Sequence, residues 1–98
     1  MNESTNCQFS IEGELTIYTA ADTKARLMPL LSQCSTLEID LSQVSELDSA
    51  GVQLLLLAQR ECEKRNGSLH LYGHSAAVSE VLEMCNLTEI FAAPALAS

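Results

Sequence analysis

The chain has 98 residues, enough to bury roughly two-thirds of its unfolded surface around one core without metal or disulfide staples, and one domain over residues 1–98 is expected. Its 13 acidic side chains outnumber 5 basic ones, for a formal net charge of −8, and the few cations form no cluster that could track a phosphate backbone; direct nucleic-acid binding is excluded and anionic membranes are poor partners. No apolar run reaches the roughly 20 residues that cross a bilayer, and the opening MNESTNCQ is polar where a secretory signal would be basic and then apolar, so a cytoplasmic protein without a transmembrane segment is expected.

The first element predicted in chain order is a hairpin. Cys7, Phe9 and Ile11 alternate with Gln8, Ser10 and Glu12, and after Gly13 the alternation resumes with Leu15 and Ile17 against Glu14, Thr16 and Tyr18, as two strands with one apolar face each would. Thr19 with Asp22 three residues on resembles a capping box, and Leu27, Leu30, Leu31 and Cys34 follow at helical spacing. Pro29 lies inside that helix, where a missing donor and a crowded preceding turn predict a kink or an early end. TLEIDL, with Leu37, Ile39 and Leu41 on one side, reads as the next strand. A second helix runs from about Ser49 to Arg65 and stops at Asn66–Gly67, a favourable left-handed terminus. SLHLY is the last strand, and a third helix begins with Ser75 as cap and carries Val78, Val81, Leu82 and Cys85 on one stripe, with a short turn around Leu87, Ile90 and Phe91 after it.

The order is ββαβαβα, an α/β fold. Strands that are apolar on one face predict a small mixed sheet of about four strands with helices packed on one side, parallel except for the initial hairpin. Residues 7–91 form its core and the termini are short and loose. The four cysteines, Cys7, Cys34, Cys62 and Cys85, form no CxxC or Cys/His pair, so no metal site is expected, and each adjoins an apolar pattern, as small buried hydrophobes in a reducing compartment do.

The stretch SELDSAG, residues 45–51, precedes the second helix and lies beyond the carboxyl end of a strand, where ligands of open α/β sheets gather. Asp48 is placed to cap that helix and Ser49 to be its first residue, beside the free amides and the partial positive charge of the helix start, where an anion such as a phosphate is favoured. Gly51 is costly in a first turn, by up to about 1 kcal/mol against alanine, which implies a need for space. The plain alternative is that Asp48 is an ordinary cap, Ser49 a neutral neighbour and Gly51 a close-packing residue. A serine-hydrolase elbow of the form G-x-S-x-G would need glycine at Leu47. His70 and His74, the candidate bases, read as solvated surface residues that nothing directs to Ser49, and Asp40 with Asp48 or Glu46 makes only a thin case for paired-carboxylate catalysis. No catalytic residue is assigned, and no glycine-rich phosphate loop or other cofactor cradle is present.

On the second helix, Gly51, Leu54, Leu55, Ala58 and Cys62 share the inner face at about 100° per residue, Val52 lies on its flank, and Gln53, Leu56 and Arg60 point largely away. Leu56 and Leu57 are then hard to bury completely, and an apolar strip beside a phosphorylatable serine suits protein docking.

LEIDLSQVSELDSAGVQLLLLAQRECEKRNGSLHLYG, followed by SAAVSEVLEMCNLTEIF and preceded by IEGELTIYTAADTKARL, resembles a STAS domain, the module of bacterial anti-sigma factor antagonists and sulphate-transporter tails. The similarity covers about residues 7–91 and centres on Asp48, Ser49 and Gly51 in their D-S-x-G order. It implies that Ser49 is the phosphoacceptor of a partner anti-sigma factor that is itself a serine kinase, that Asp48 and Gly51 shape the turn, and that Gln53, Leu56 and Arg60 dock the partner. Phosphorylation would break the complex, a phosphatase would restore it, and ATP would be bound by the kinase, so this chain is not read as an enzyme and needs no cofactor. Ala50 stands where many antagonists carry a second hydroxyl. Val52 and Gln53 follow the motif where a second glycine is common in the best-known branch. These departures bring the motif closer to a broader group of bacterial STAS proteins, and the alternative role is a non-phosphorylated regulatory subunit of a transport ATPase of the Mla type, or a component of a chemotaxis or other histidine-kinase system.

Overall fold

A computed structural model describes residues 6–85. Three strands and three helices alternate: β1 Asn6–Leu15, α1 Ala20–Gln33, β2 Thr36–Leu47, α2 Ser49–Lys64, β3 Ser68–Tyr72 and α3 Ala76–Met84. The sheet has the order β1-β2-β3 and is parallel throughout. The predicted turn around Leu87, Ile90 and Phe91 lies outside the described residues.

The predicted hairpin is absent, so the strand count is three and not four. Asn6–Leu15 is one strand, paired with β2 from Asn6↔Thr36 to Leu15↔Leu47, with the register shifting between Ser10 and Glu12 and again between Gly13 and Glu14. Gly13 has φ of 78°, a conformation glycine adopts without penalty, and it serves a bulge in a continuing strand instead of a reversal. β2 likewise continues beyond TLEIDL to Leu47, so SELDSAG is divided: Ser45–Leu47 end the central strand, Asp48 caps α2, and Ser49–Gly51 are its first residues.

Leu37, Ile39, Leu41, Ile11 and Leu15 are buried in one core with Leu27 and Leu31 of α1, Leu54, Leu55 and Ala58 of α2, and Val78 and Leu82 of α3. The inner face predicted for α2 is buried in full, and Val52 is buried with it. α1 runs on to Gln33 past Pro29. Its predicted capping box does not form: the Thr19 hydroxyl donates to the Glu14 carbonyl at 2.9 Å and accepts from the Thr16 amide at 3.0 Å, closing the β1–α1 turn. The left-handed residue after α2 is Asn66, with φ of 60°, and Ser75 caps α3 by accepting from the Val78 amide at 3.2 Å.

Two cysteines depart from expectation together. Cys7 at the start of β1 and Cys34 just after α1 are joined in a disulfide, with Cα atoms 6.0 Å apart, while Cys62 is buried as predicted and Cys85 is exposed. Of the described residues, no helix is long and apolar enough to cross a membrane.

Candidate functional site

The carboxyl ends of β1 and β2 meet the first turn of α2, and Asp48 ties the three together. Its Oδ1 accepts from the Gly51 amide at 3.1 Å, the expected cap, and its Oδ2 accepts from the Ile17 amide at 2.9 Å, across to the β1–α1 turn. The Ile17 amide is the main reason that the Asp48 carboxyl is held below the ordinary carboxylate range; partial desolvation opposes it, and the Gly51 and Ala50 amides add to it. The carboxylate therefore stays charged and fully engaged at neutral pH.

Gly51 is buried against β1. A Cβ there would strike the Leu15 carbonyl oxygen and come within 2.6 Å of the Leu47 side chain. The room that glycine provides is filled by the chain itself, and it lets α2 begin in contact with the end of β1. Asp48 and Gly51 thus shape the turn from two sides.

Ser49 is different. It is the first residue of α2, it is exposed, and its hydroxyl makes no hydrogen bond to another described residue. The neighbouring β1–α1 turn presents Ile17 and Tyr18, 69% and 87% exposed. Alternation had assigned Ile17 to an inward strand position; the strand ends at Leu15, and the turn that Thr19 closes sends Ile17 outward. These two apolar side chains next to Ser49 were not singled out from the sequence, because nothing local shows where β1 stops.

Two grooves flank the turn. One, about 470 Å³, lies between the sheet edge and α3 and is acidic, with Glu14, Glu46, Asp48 and Glu80 in its lining and Tyr18 at its margin. The other, about 360 Å³, lies between α1 and α2 and is lined by Gln53 and Arg60 together with Ala50, Leu57 and Lys24. Of the residues expected to dock a partner, Gln53 and Arg60 are exposed and share this second groove, whereas Leu56 is half-buried and packs against the core. Leu57, also half-buried, lines this groove.

Neither histidine lines either groove. Both are half-buried and not fully solvated. His74 Nε2 is buried without a partner among the described residues, and desolvation lowers the pKa of its ring, opposed by a hydrogen bond with the Leu71 backbone. Asp40 is occupied elsewhere: its Oδ1 accepts from the Ser42 amide at 2.9 Å, which is the main cause of its own depressed pKa. Among the described residues no three of His, Cys, Asp and Glu converge as metal ligands.

Comparison with known proteins agrees with this layout. A family model described as "Mlab, STAS domain" matches residues 2–93. The anti-sigma-B factor antagonist of Bacillus subtilis (strain 168) is 31% identical over 83 residues, 85% of this chain and 76% of the relative. Its counterpart in Listeria monocytogenes is 31% identical over 81 residues, 82% of this chain and 71% of the relative. Among solved structures, the anti-sigma factor antagonist SpoIIAA in its unphosphorylated form superposes with a TM-score of 0.71 at 26% identity, covering 88% of this chain and 78% of that one. SpoIIAA of Bacillus in its phosphorylated form gives 0.63 at 26% identity, with 80% and 72% covered. The STAS domain of a SulP transporter from Vibrio cholerae shares the fold, with a TM-score of 0.69 at 18% identity over 93% of this chain and 71% of that one.

Proposed function

This chain belongs to the STAS domain family, and we propose that it is an anti-sigma factor antagonist whose docking to a partner is controlled by phosphorylation of Ser49. In this role the unmodified domain binds a cytoplasmic anti-sigma factor with kinase activity and thereby releases a sigma factor. The kinase binds ATP, and Ser49 Oγ takes its γ-phosphoryl group as the bond to the leaving ADP breaks and the hydroxyl proton is released through the kinase to solvent, which ends the association.

The observation that carries the proposal is the contrast within one turn. Asp48 and Gly51 are committed to holding β1 against α2, while the hydroxyl between them is exposed and unengaged at a helix start. A phosphate on Ser49 gains from the partial positive charge of that first turn and places a charge of about −1.5 to −2 on a docking surface. This chain contributes the acceptor and the surface, not the chemistry, so no catalytic residue is required of it. The names of the relatives and of the phosphorylated neighbour, each at 26–31% identity, support the same assignment.

A second role is favoured by the description of the family model, which names Mlab: a constitutive regulatory subunit that binds an ATPase through the same face without modification. Incubation with ATP and the candidate partner kinase, followed by mapping of the modified residue by mass spectrometry, separates the two. Modification at Ser49 is expected. Modification only elsewhere, or partner binding indifferent to Ser49→Asp, contradicts the switch and leaves the constitutive subunit.

A further inference from the structure

The two grooves beside Ser49 differ in sign, and the sign determines what a phosphate between them would do. A basic segment seated in the acidic groove of Glu14, Glu46 and Glu80 would be held more tightly by an added phosphate. An acidic segment seated between α1 and α2 would be repelled by it. Only the second arrangement makes phosphorylation a release signal.

The α1/α2 groove has the matching chemistry. Lys24 and Arg60 face it from opposite helices. Among the described residues neither makes an ion pair, whereas Lys64 pairs with Glu61 and Arg26 lies over the Phe9 ring. Among the described residues Arg65, at the end of α2, also lacks an ion pair, but Lys24 and Arg60 are the cations that share one groove, on a protein with net charge −8. The first turns of α1 and α2, with Ala20, Ala21 and Ala50, meet at the same groove; Asp48 caps the positive end of α2 and Asp22 stands in the first turn of α1, so the charge offered to an acidic ligand there is that of Lys24 and Arg60. Leu57 and the small alanines supply an apolar floor on which a helix can lie closely.

The overall negative charge opposes small, highly charged anions at long range, so the occupant needs apolar area to bind as well as a carboxylate. We propose that this groove receives an amphipathic helix of the partner protein, its apolar stripe against Leu57 and the alanines and its flanking Asp or Glu side chains against Lys24 and Arg60. The proposal rests on the docking role assigned above and names the chemistry of the partner: an acidic helix, not a basic one. Lys24 enters the site only through the packing of α1 on α2, and nothing in its local sequence marks it.

The test uses two designed helical peptides with the same leucine stripe, one flanked by Glu and one by Lys, titrated into the isotope-labelled protein. The Glu peptide is expected to bind and to shift the amides of Lys24, Gln53, Leu57 and Arg60. Reversal of both cations in Lys24→Glu, Arg60→Glu should weaken it by about tenfold or more and make the Lys peptide the better ligand. The neutral pair Lys24→Gln, Arg60→Gln should give an intermediate loss, which guards against a folding artefact of the reversal. Equal binding of both peptides, binding of neither, shifts confined to Glu46 and Glu80, or binding of dodecanoate with no binding of the Glu peptide would each overturn the proposal. The switch is read separately: a Glu peptide that binds Ser49→Asp as well as wild type leaves the groove standing and removes the phosphorylation role. Modification of Ser49 by the kinase with no binding of the Glu peptide does the reverse.

Discussion

The two ends of β1 are fastened in different ways. At its start a covalent bond joins Cys7 to Cys34 at the end of α1. At its finish, Leu15 and the turn after it are held to α2 by two bonds to one carboxylate and by the close approach of Gly51. The first fastening acts mainly by restricting the unfolded chain. The second determines where the Ser49 turn sits. Loss of the one should therefore cost stability alone, and loss of the other should cost stability and partner docking together.

The largest effect expected is at the Cys7 end. The bond spans a sequence separation of 27, so Cys7→Ser with Cys34→Ser, or reduction with dithiothreitol, should lower the unfolding free energy by about 3–4 kcal/mol in denaturant titration. Affinity for a Ser49-dependent partner should stay unchanged in the same variant. A loss of affinity would show that the two ends are mechanically coupled.

Gly51→Ala comes next. The added methyl group meets backbone at Leu15 and the Leu47 side chain, and overpacking of this kind costs about 1–3 kcal/mol, more than the roughly 1 kcal/mol that alanine returns in helix propensity. Its melting temperature should fall, and partner affinity should fall with it because the first turn of α2 must move. A rise in stability would contradict the close approach of helix and strand.

Asp48→Asn is expected to be smaller. An amide can accept from Gly51 or from Ile17 but not from both, since its second polar atom is a donor; melting should drop by a few degrees and the Ile17 amide should lose protection from hydrogen exchange. The pH dependence has a definite sign. The folded-state pKa of Asp48 is lowered, so its contribution is present above its unfolded value of about 3.9 and is lost as pH falls through the folded value. The variant should flatten that acid limb of a stability profile.

The smallest effect belongs to His74, at the far end of β3. Its folded pKa is depressed by burial, so the unfolded chain binds the proton more readily. Stability should be complete above about 6.5 and decline as pH falls from there toward the folded value. His74→Gln should remove this slope without altering docking.

Much of α2 was legible from its residues alone. A leucine stripe at helical spacing, a single acidic cap and an asparagine–glycine stop each act locally, and Asp48, Leu54, Leu55 and Asn66 fill the roles their spacing implies. β1 was not legible in the same way. Alternation around Gly13 is identical for a hairpin and for a bulged strand that continues, because the partner strand decides between them. Thr19 has the chemistry of a cap, but the turn it closes with Glu14 and Thr16 competes for the same hydroxyl. Cys7 and Cys34 meet only because α1 runs back along β1, and Lys24 lines the same groove as Arg60 only because α1 lies beside α2. The motif residues were visible; the neighbours that surround the Ser49 turn are products of tertiary packing.

The most direct measurement is the dissociation constant of a single partner for this chain with Ser49 unmodified and for the same chain quantitatively phosphorylated at Ser49. Control of docking by Ser49 predicts that the phosphorylated form binds at least about tenfold more weakly. Equal affinity, or tighter binding of the phosphorylated form, would contradict it.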